Sequence, residues 1–332
     1  TFDESGAIST VRVSLDSDGI SGNGDSFSPA ISGDGRYVVF ESDASNLLGP
    51  GVDTNGVSDI FVHDRDTDET ARVNVSSAGV PASTGDSRAP VISDDGRYVV
   101  FESGASDLLG PGVDTNGVWD IFVHDRDTAT TVRVNVRSDG VPASTGDSFA
   151  PAISGNGRYV VFESEASDLL DPGVDTNGVF DIFVHDRDTG QTTRVNVRSS
   201  GAPASTGDSR SPAVSDDGRY VAFESEASDL LVPGVDTNGV IDIFVHDRDT
   251  GSTVRVNVSS EGEPARGTNS HAPAVSASGR FVTFESIAGN LVPDDTSGRD
   301  IFLHDRDADE DGIFDEDGLG EIETTRVNLH SD

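Results

Sequence analysis

Oxygen-bearing side chains recur at a fixed spacing along this sequence. Asp53, Asn55 and Asp59 lie in "DTNGVSD"; the trio returns as Asp114, Asn116, Asp120, as Asp175, Asn177, Asp181 and as Asp236, Asn238, Asp242. A fifth, shorter loop leaves Asp295, Ser297 and Asp300. A hard cation such as Ca2+ takes about six to eight oxygens from carboxylates, amides, carbonyls and water, and a bend at glycine lets a short loop wrap it. An acid or amide upstream (Asn46, Asp107, Asp168, Asp229, Asn290) is a candidate further ligand. The same residues also form Asx-turns that need no metal. Crowding several acids per repeat without a cation is costly, which favours the cage.

A denser set follows near the C-terminus in "DADEDGIFDEDG". Asp307, Asp309, Asp311 and Asp315 stand at positions 1, 3, 5 and 9 of the calcium-loop rule, with Gly312 at position 6. The stretch resembles the helix-free calcium loops of thrombospondin type 3 repeats and dockerins, a resemblance that implies bound Ca2+. It departs at position 12, which is Gly318, where Asp317 or Glu321 would have to substitute.

Catalytic chemistry finds less support. "HDRD" places His63, His124, His185, His246 and His304 beside acids and arginine, but five equivalent copies read as architecture, with Arg65 and its equivalents pairing to nearby acids. Cysteine is absent and no G-x-S-x-G occurs. Acids are too abundant for one glycosidase-like pair to stand out. The expectation is a protein that is not an enzyme. Positions where near-identical copies disagree are more informative. Phe27, Arg88, Phe149, Arg210 and His271 precede the first strand-like segment and are candidate ligand-binding residues for an anion, a sugar or a protein tip. Ser58, Trp119, Phe180, Ile241 and Arg299 form a second varied set, for which drift at exposed positions explains as much. Asn74 and Asn257 lie in N-x-S sequons, a weak signal.

These residues are carried by one unit repeated five times. The glycine of "GRYVVFES" recurs at Gly35, Gly96, Gly157, Gly218 and Gly279, always 61 residues apart. Each period holds four strand-like segments, in the first copy Ser28–Ser32, Arg36–Ser42, Asp59–Arg65 and Thr70–Ser76, rich in Val, Ile, Phe and Tyr and bounded by turn residues. Nothing reads as a helix. Four antiparallel strands per unit predict an all-β, five-bladed β-propeller, in preference to a solenoid, which needs atypical caps. "SPAISGDGRYVVF" and "DIFVHDRDTG" resemble TolB-like (WD40-like) propeller repeats, which implies the same fold over nearly the whole chain and, for function, mostly binding or scaffold roles. A single domain spanning 1–332 is expected, with an N-terminal extra strand within 1–27 and blades near 28–80, 89–141, 150–202, 211–263 and 272–332. The fourth-strand "RV" occurs six times, so Thr10–Leu15 and Thr324–Leu329 compete for the outer place in blade five. Closure through the N-terminal copy is the expectation; donation of a spare strand to a neighbour, building a filament, is the alternative.

Composition narrows the partners. The chain carries 60 acidic and 22 basic residues, a formal charge of −38, and every basic residue is arginine. Such a surface repels nucleic acid and anionic lipid. It suits a halophile or a calcium-rich extracellular setting. No apolar run approaches the roughly 18–20 residues that span a membrane, and a start at Thr1 reads as a mature or trimmed, secreted product. The function expected is a non-catalytic, extracellular, calcium-binding structural or adhesion module. Its partner would be itself or a surface glycan or protein. A lectin-like module and a glycan-active enzyme are the alternatives.

Overall fold

The structure, a computed structural model, describes residues 10–232, 234–293, 298–316 and 320–328. Its elements are all strands. The first sheet is β1 (Ser26–Ile31), β2 (Tyr37–Ser42), β3 (Asp59–Asp64) and β4 (Glu69–Arg72); the second is β5 (Ser87–Ile92), β6 (Tyr98–Ser103), β7 (Asp120–Asp125) and β8 (Thr130–Arg133). The third is β9 (Ser148–Ile153), β10 (Tyr159–Ser164), β11 (Asp181–Asp186) and β12 (Gln191–Arg194); the fourth is β13 (Ser209–Val214), β14 (Tyr220–Ser225), β15 (Asp242–Asp247) and β16 (Ser252–Arg255). The fifth is β17 (Ser270–Val275), β18 (Phe281–Ser286), β19 (Asp300–Asp305) and β20 (Glu323–Arg326). Each sheet pairs its strands in chain order, the blade pattern of the expected all-β five-bladed propeller. Among the described residues no helix is long and apolar enough to cross a membrane.

The chain divides into two compact units, residues up to Gly117 with Val123–Val132, and Val118–Phe122 with Arg133 onward. In the first, the leading strand of the second sheet packs on β1, β2 and β3. In the second unit, β13 packs on β9, β10 and β11, and β17 on β13, β14 and β15. Within each unit successive sheets therefore cover each other's faces, which is why Val160, Val161 and Phe162 are all buried instead of alternating. Val161, Ile182, Phe223 and Phe244 share one such layer. Aromatic pairs fix the register: Phe162 faces Phe183 across β10 and β11, their rings stacked 5.9 Å apart. A side chain at Gly218, φ +77°, would meet the Tyr159 ring of the preceding sheet at 2.0 Å, so glycine is required both for the turn and for the close approach.

The fourth strands are shorter than the sequence suggests. β4 stops at Arg72 because Asn74 turns its amide to Asp59, 2.6 Å away. The two terminal copies also differ in role. The C-terminal copy is β20, the outer strand of the fifth sheet, where Asn328 donates to Asp300 at 2.7 Å. The N-terminal copy carries Ser14 where the others carry that asparagine. Over residues 10–25 it forms no strand, contrary to the expected extra strand and its expected place in blade five. Instead the Leu15 carbonyl accepts the Thr70 hydroxyl at 2.6 Å, and Ser17 Oγ accepts the Thr70 N–H at 3.0 Å. Val136 and Ser138 hold Thr192 in the same way, so the segment acts as the connector that precedes a sheet.

Candidate metal centre and the surface where the repeats differ

Each "DTNG" loop delivers its last acid to the first residue of a third strand, where Asp59, Asp120, Asp181 and Asp242 are fully buried. Asp59 accepts from Asn55 Nδ2 at 3.0 Å, Asn74 Nδ2 at 2.6 Å and Arg72 Nη1 at 2.8 Å, and the same Arg72 nitrogen lies 3.2 Å from Asp53. In the second unit Arg194 stands 2.7 Å from Asp181 and 3.3 Å from Asp175, with Asn177 and Asn196 on Asp181. Arg255 stands 3.2 Å from Asp242 and 3.7 Å from Asp236, with Asn238 and Asn257 on Asp242. Asp120 is held by Arg133 and Asn135, at 2.7 and 2.6 Å; Asp114 is buried in the first unit, where Asn116 also lies. Asp300 has Arg326 at 3.6 Å, while Asp295 and Ser297 lie outside the described residues. In the first, third and fourth loops a guanidinium thus lies between the two acids, where the sequence reading put a cation. Burial, then the neighbouring acid, pushes the Asp53, Asp175 and Asp236 carboxyls up against the pull of their arginine.

The upstream residues do a separate job. Asp107 accepts from Ser83 and Thr84, and Asp168 from Ser144, so they tie down connectors and do not join the acid trios. Nor do the sequons offer acceptors: Asn74 and Asn257 are fully buried in the networks just described.

The hairpin between β19 and β20 is different. Asp307, Asp309 and Asp311 bring one carboxylate oxygen each to within 4.8 Å of one another. Asp307 is buried and accepts the Gly312 N–H at 3.2 Å; Gly312 has φ +91°, the bend the loop rule asks of this position. The backbone is closed by Ala308 N–H to the Glu321 carbonyl at 2.8 Å, and the Glu321 carboxyl is raised chiefly by Asp309. Asp315 turns away from the triad and grips buried Arg306, Nε at 2.9 Å, while Phe314 packs on Tyr220 with centroids 5.4 Å apart. Asp317 and Gly318 lie outside the described residues.

The histidines are architectural. In each sheet Nδ1 sits 2.8 or 2.9 Å from a threonine hydroxyl. That hydroxyl donates to a connector carbonyl, so the ring nitrogen must be the donor to threonine. Burial lowers every one of the five, to about 4 for His185, His246 and His304. The arginines divide the work unlike the expectation: Arg36 pairs with Asp64 at 2.6 Å, whereas Arg65 donates to the Gly35 carbonyl.

Sequence reading missed a recurrent glutamate in "FES". Glu163 accepts the Ser211 N–H of the next sheet at 2.7 Å, Glu224 the Ala272 N–H at 3.1 Å and, in the first unit, Glu41 the Ala89 N–H at 2.9 Å. The donors sit in a bulge of each leading strand at φ +47° to +52°. The varied residues immediately precede these bulges. Phe27 and Arg88 are exposed in the first unit, Arg88 pairing with Asp86 at 2.6 Å. In the second, Phe149, Arg210 and His271 are half-buried; Arg210 lies over the Phe180 ring at 3.8 Å, and His271 Nδ1 is 3.2 Å from Glu224.

No family model and no curated protein sequence matches the chain. Among solved structures it is similar to a protein assigned as TolB from Agrobacterium tumefaciens, with 18% identity and a TM-score of 0.50, over 91% of this chain and 80% of that one. It is similar also to a prolyl endopeptidase, with 11% identity and a TM-score of 0.52, over 93% of this chain and 37% of that one. A puromycin-hydrolyzing peptidase from Mycobacterium tuberculosis gives 13% identity and a TM-score of 0.50, over 92% and 38%. At these identities the likeness is one of fold, and in fold the chain is a TolB-like β-propeller protein.

Proposed function

We propose that the chain is a non-catalytic, extracellular structural and binding module that takes one Ca2+ on its C-terminal hairpin. The observation that carries the metal is the convergence of Asp307, Asp309 and Asp311, three carboxylates with no arginine between them, beside a glycine bend. In the blades the same charge problem is solved internally by Arg72, Arg194 and Arg255. Against catalysis stand the neutral, threonine-bound histidines, repeated in all five sheets as architecture. The charge of −38 suits a salt-rich or calcium-rich exterior.

Calcium titration of the chelator-stripped protein at fixed high ionic strength tests this. One ion is expected to bind, and a hundredfold excess over Kd to stabilise the fold by about 2.7 kcal/mol. Asp309→Asn with Asp311→Asn should abolish both the binding and the rise in melting temperature. Five or six ions would show that the blade loops are sites as well, and none would remove the metal from the proposal.

A further inference from the structure

Within the second unit the two varied sets share one surface. In the second unit the Trp119 carbonyl accepts the N–H of Ser148, the neighbour of Phe149, and the Trp119 N–H donates to Asp147, both at 2.9 Å. Phe180 and Arg210 are joined in the same way through Ser209 and Asp208, and Ile241 and His271 through Ser270 and Asn269. In this unit the residue before a third strand is therefore fixed beside the next blade's residue before its bulge. Phe149 links the pairs, its ring 6.1 Å from Trp119 and 6.4 Å from Phe180, on which Arg210 stacks. His271 continues the run beside a cavity of about 150 Å3 lined by Asn269, Glu285 and Arg299.

We propose that this stripe, Trp119–Phe149–Phe180–Arg210–His271, binds a neutral oligosaccharide. Most other positions of the first four repeats are copied with few changes, whereas these vary, and Phe149, Arg210 and His271 stand beside bulges held at positive φ, a strain that structures keep where a side chain has a task. The half-buried rings of Trp119 and Phe149 offer flat apolar faces to the C–H face of a sugar, while Phe180, buried and covered by Arg210, seats Phe149 from below. Next to them donors and acceptors stand side by side: Arg210 between Asp208 at 2.8 Å and Glu163 at 3.6 Å, His271 on Glu224, Arg299 on Glu285 at 2.9 Å. A hydroxyl donates and accepts at once, so such pre-oriented pairs suit it. Charge selects among ligands. Arg210 and Arg299 already have their acids, and the chain's −38 opposes a polyanion, so an uncharged ligand is favoured over a uronate or a nucleotide.

Trp119 is the only tryptophan, so its emission reports this site alone. The calcium-loaded protein is titrated with hexasaccharides of glucose, xylose and mannose, with hexagalacturonate and with hexalysine. A saturable change is expected with at least one neutral hexasaccharide below about 1 mM, the weak end of specific binding. Arg210→Ala and Phe149→Ala should each weaken it about tenfold with melting unchanged; Arg210→Lys should weaken it as well, because the planar guanidinium is lost. Saccharide binding that survives both alanine variants overturns the assignment, as does no response to any neutral sugar. A response to hexagalacturonate or hexalysine alone does so too, the latter making the stripe a protein-docking face.

Discussion

Replacing Arg194 with methionine is expected to cost the protein about 3–5 kcal/mol, the usual penalty for breaking a buried ion pair from one side. Arg194 is 5% exposed and its partners Asp175 and Asp181 are 4% and 0% exposed, so methionine fills the space but leaves two acids facing each other out of water. The loss has a pH signature. The Asp175 carboxyl already lies above its ordinary value through burial and Asp181, with Arg194 pulling it down, so removing the arginine raises it further. A carboxyl whose folded value exceeds the unfolded one is penalised at neutral pH and relieved as pH falls through the folded value. The gap between wild type and variant should therefore narrow on mild acidification. Urea denaturation at fixed high salt, at pH 7.5 and pH 5.5, measures both quantities. Asp181→Asn in the Arg194→Met background should recover part of the loss. Added calcium should recover none; restoration by Ca2+ would mean that this loop takes an ion once its arginine is gone.

That experiment also addresses what the sequence could and could not display. Strand-forming runs and turn glycines are local, so the repeat, its four strands and the sheet order follow from residues a few places apart. Arg72 faces Asp53 and Asp59 only after two strands have paired, and no spacing rule links residues 13 or more places apart across a ladder. Glu163 meets Ser211 only because successive sheets pack, 48 residues on. The role of the N-terminal copy turned on one residue: Ser14 replaces the asparagine that a third-strand aspartate requires, a requirement visible only once Asn74 is seen on Asp59. At the C-terminal hairpin the acid spacing does locate three converging carboxylates, but Asp315, counted with them, is claimed by Arg306. For the varied residues, reading along the chain separates Trp119 from Phe149 by a whole hairpin and connector. The backbone bond from Ser148 to Trp119 removes that distance.

Acid should unfold this protein in two stages, the first of them set by histidine. His185, His246 and His304 fall to about 4 in the folded chain because burial disfavours the cation, against 6.5 when exposed. Between those values the unfolded chain binds protons that the folded chain refuses, so stability declines as pH falls from about 6.5 and the decline levels off near 4. Each such group contributes at most about 3 kcal/mol over that window, and three together approach the roughly 5–15 kcal/mol that a folded domain commands. Below it the arginine-bound carboxylates begin to protonate: Asp247 is lowered to about 2 and Asp64 further, and for these depressed groups stability is lost as pH falls toward their folded values. The stages separate by substitution. His185→Gln keeps an amide donor for Thr192 but cannot titrate, so the slope of unfolding free energy with pH near 5.3 should fall by about one proton, or about 1.4 kcal/mol per pH unit. An unchanged slope would show that His185 protonates freely in the folded chain. His185 would then have no part in acid unfolding, which would fall to the other buried histidines and the carboxylates.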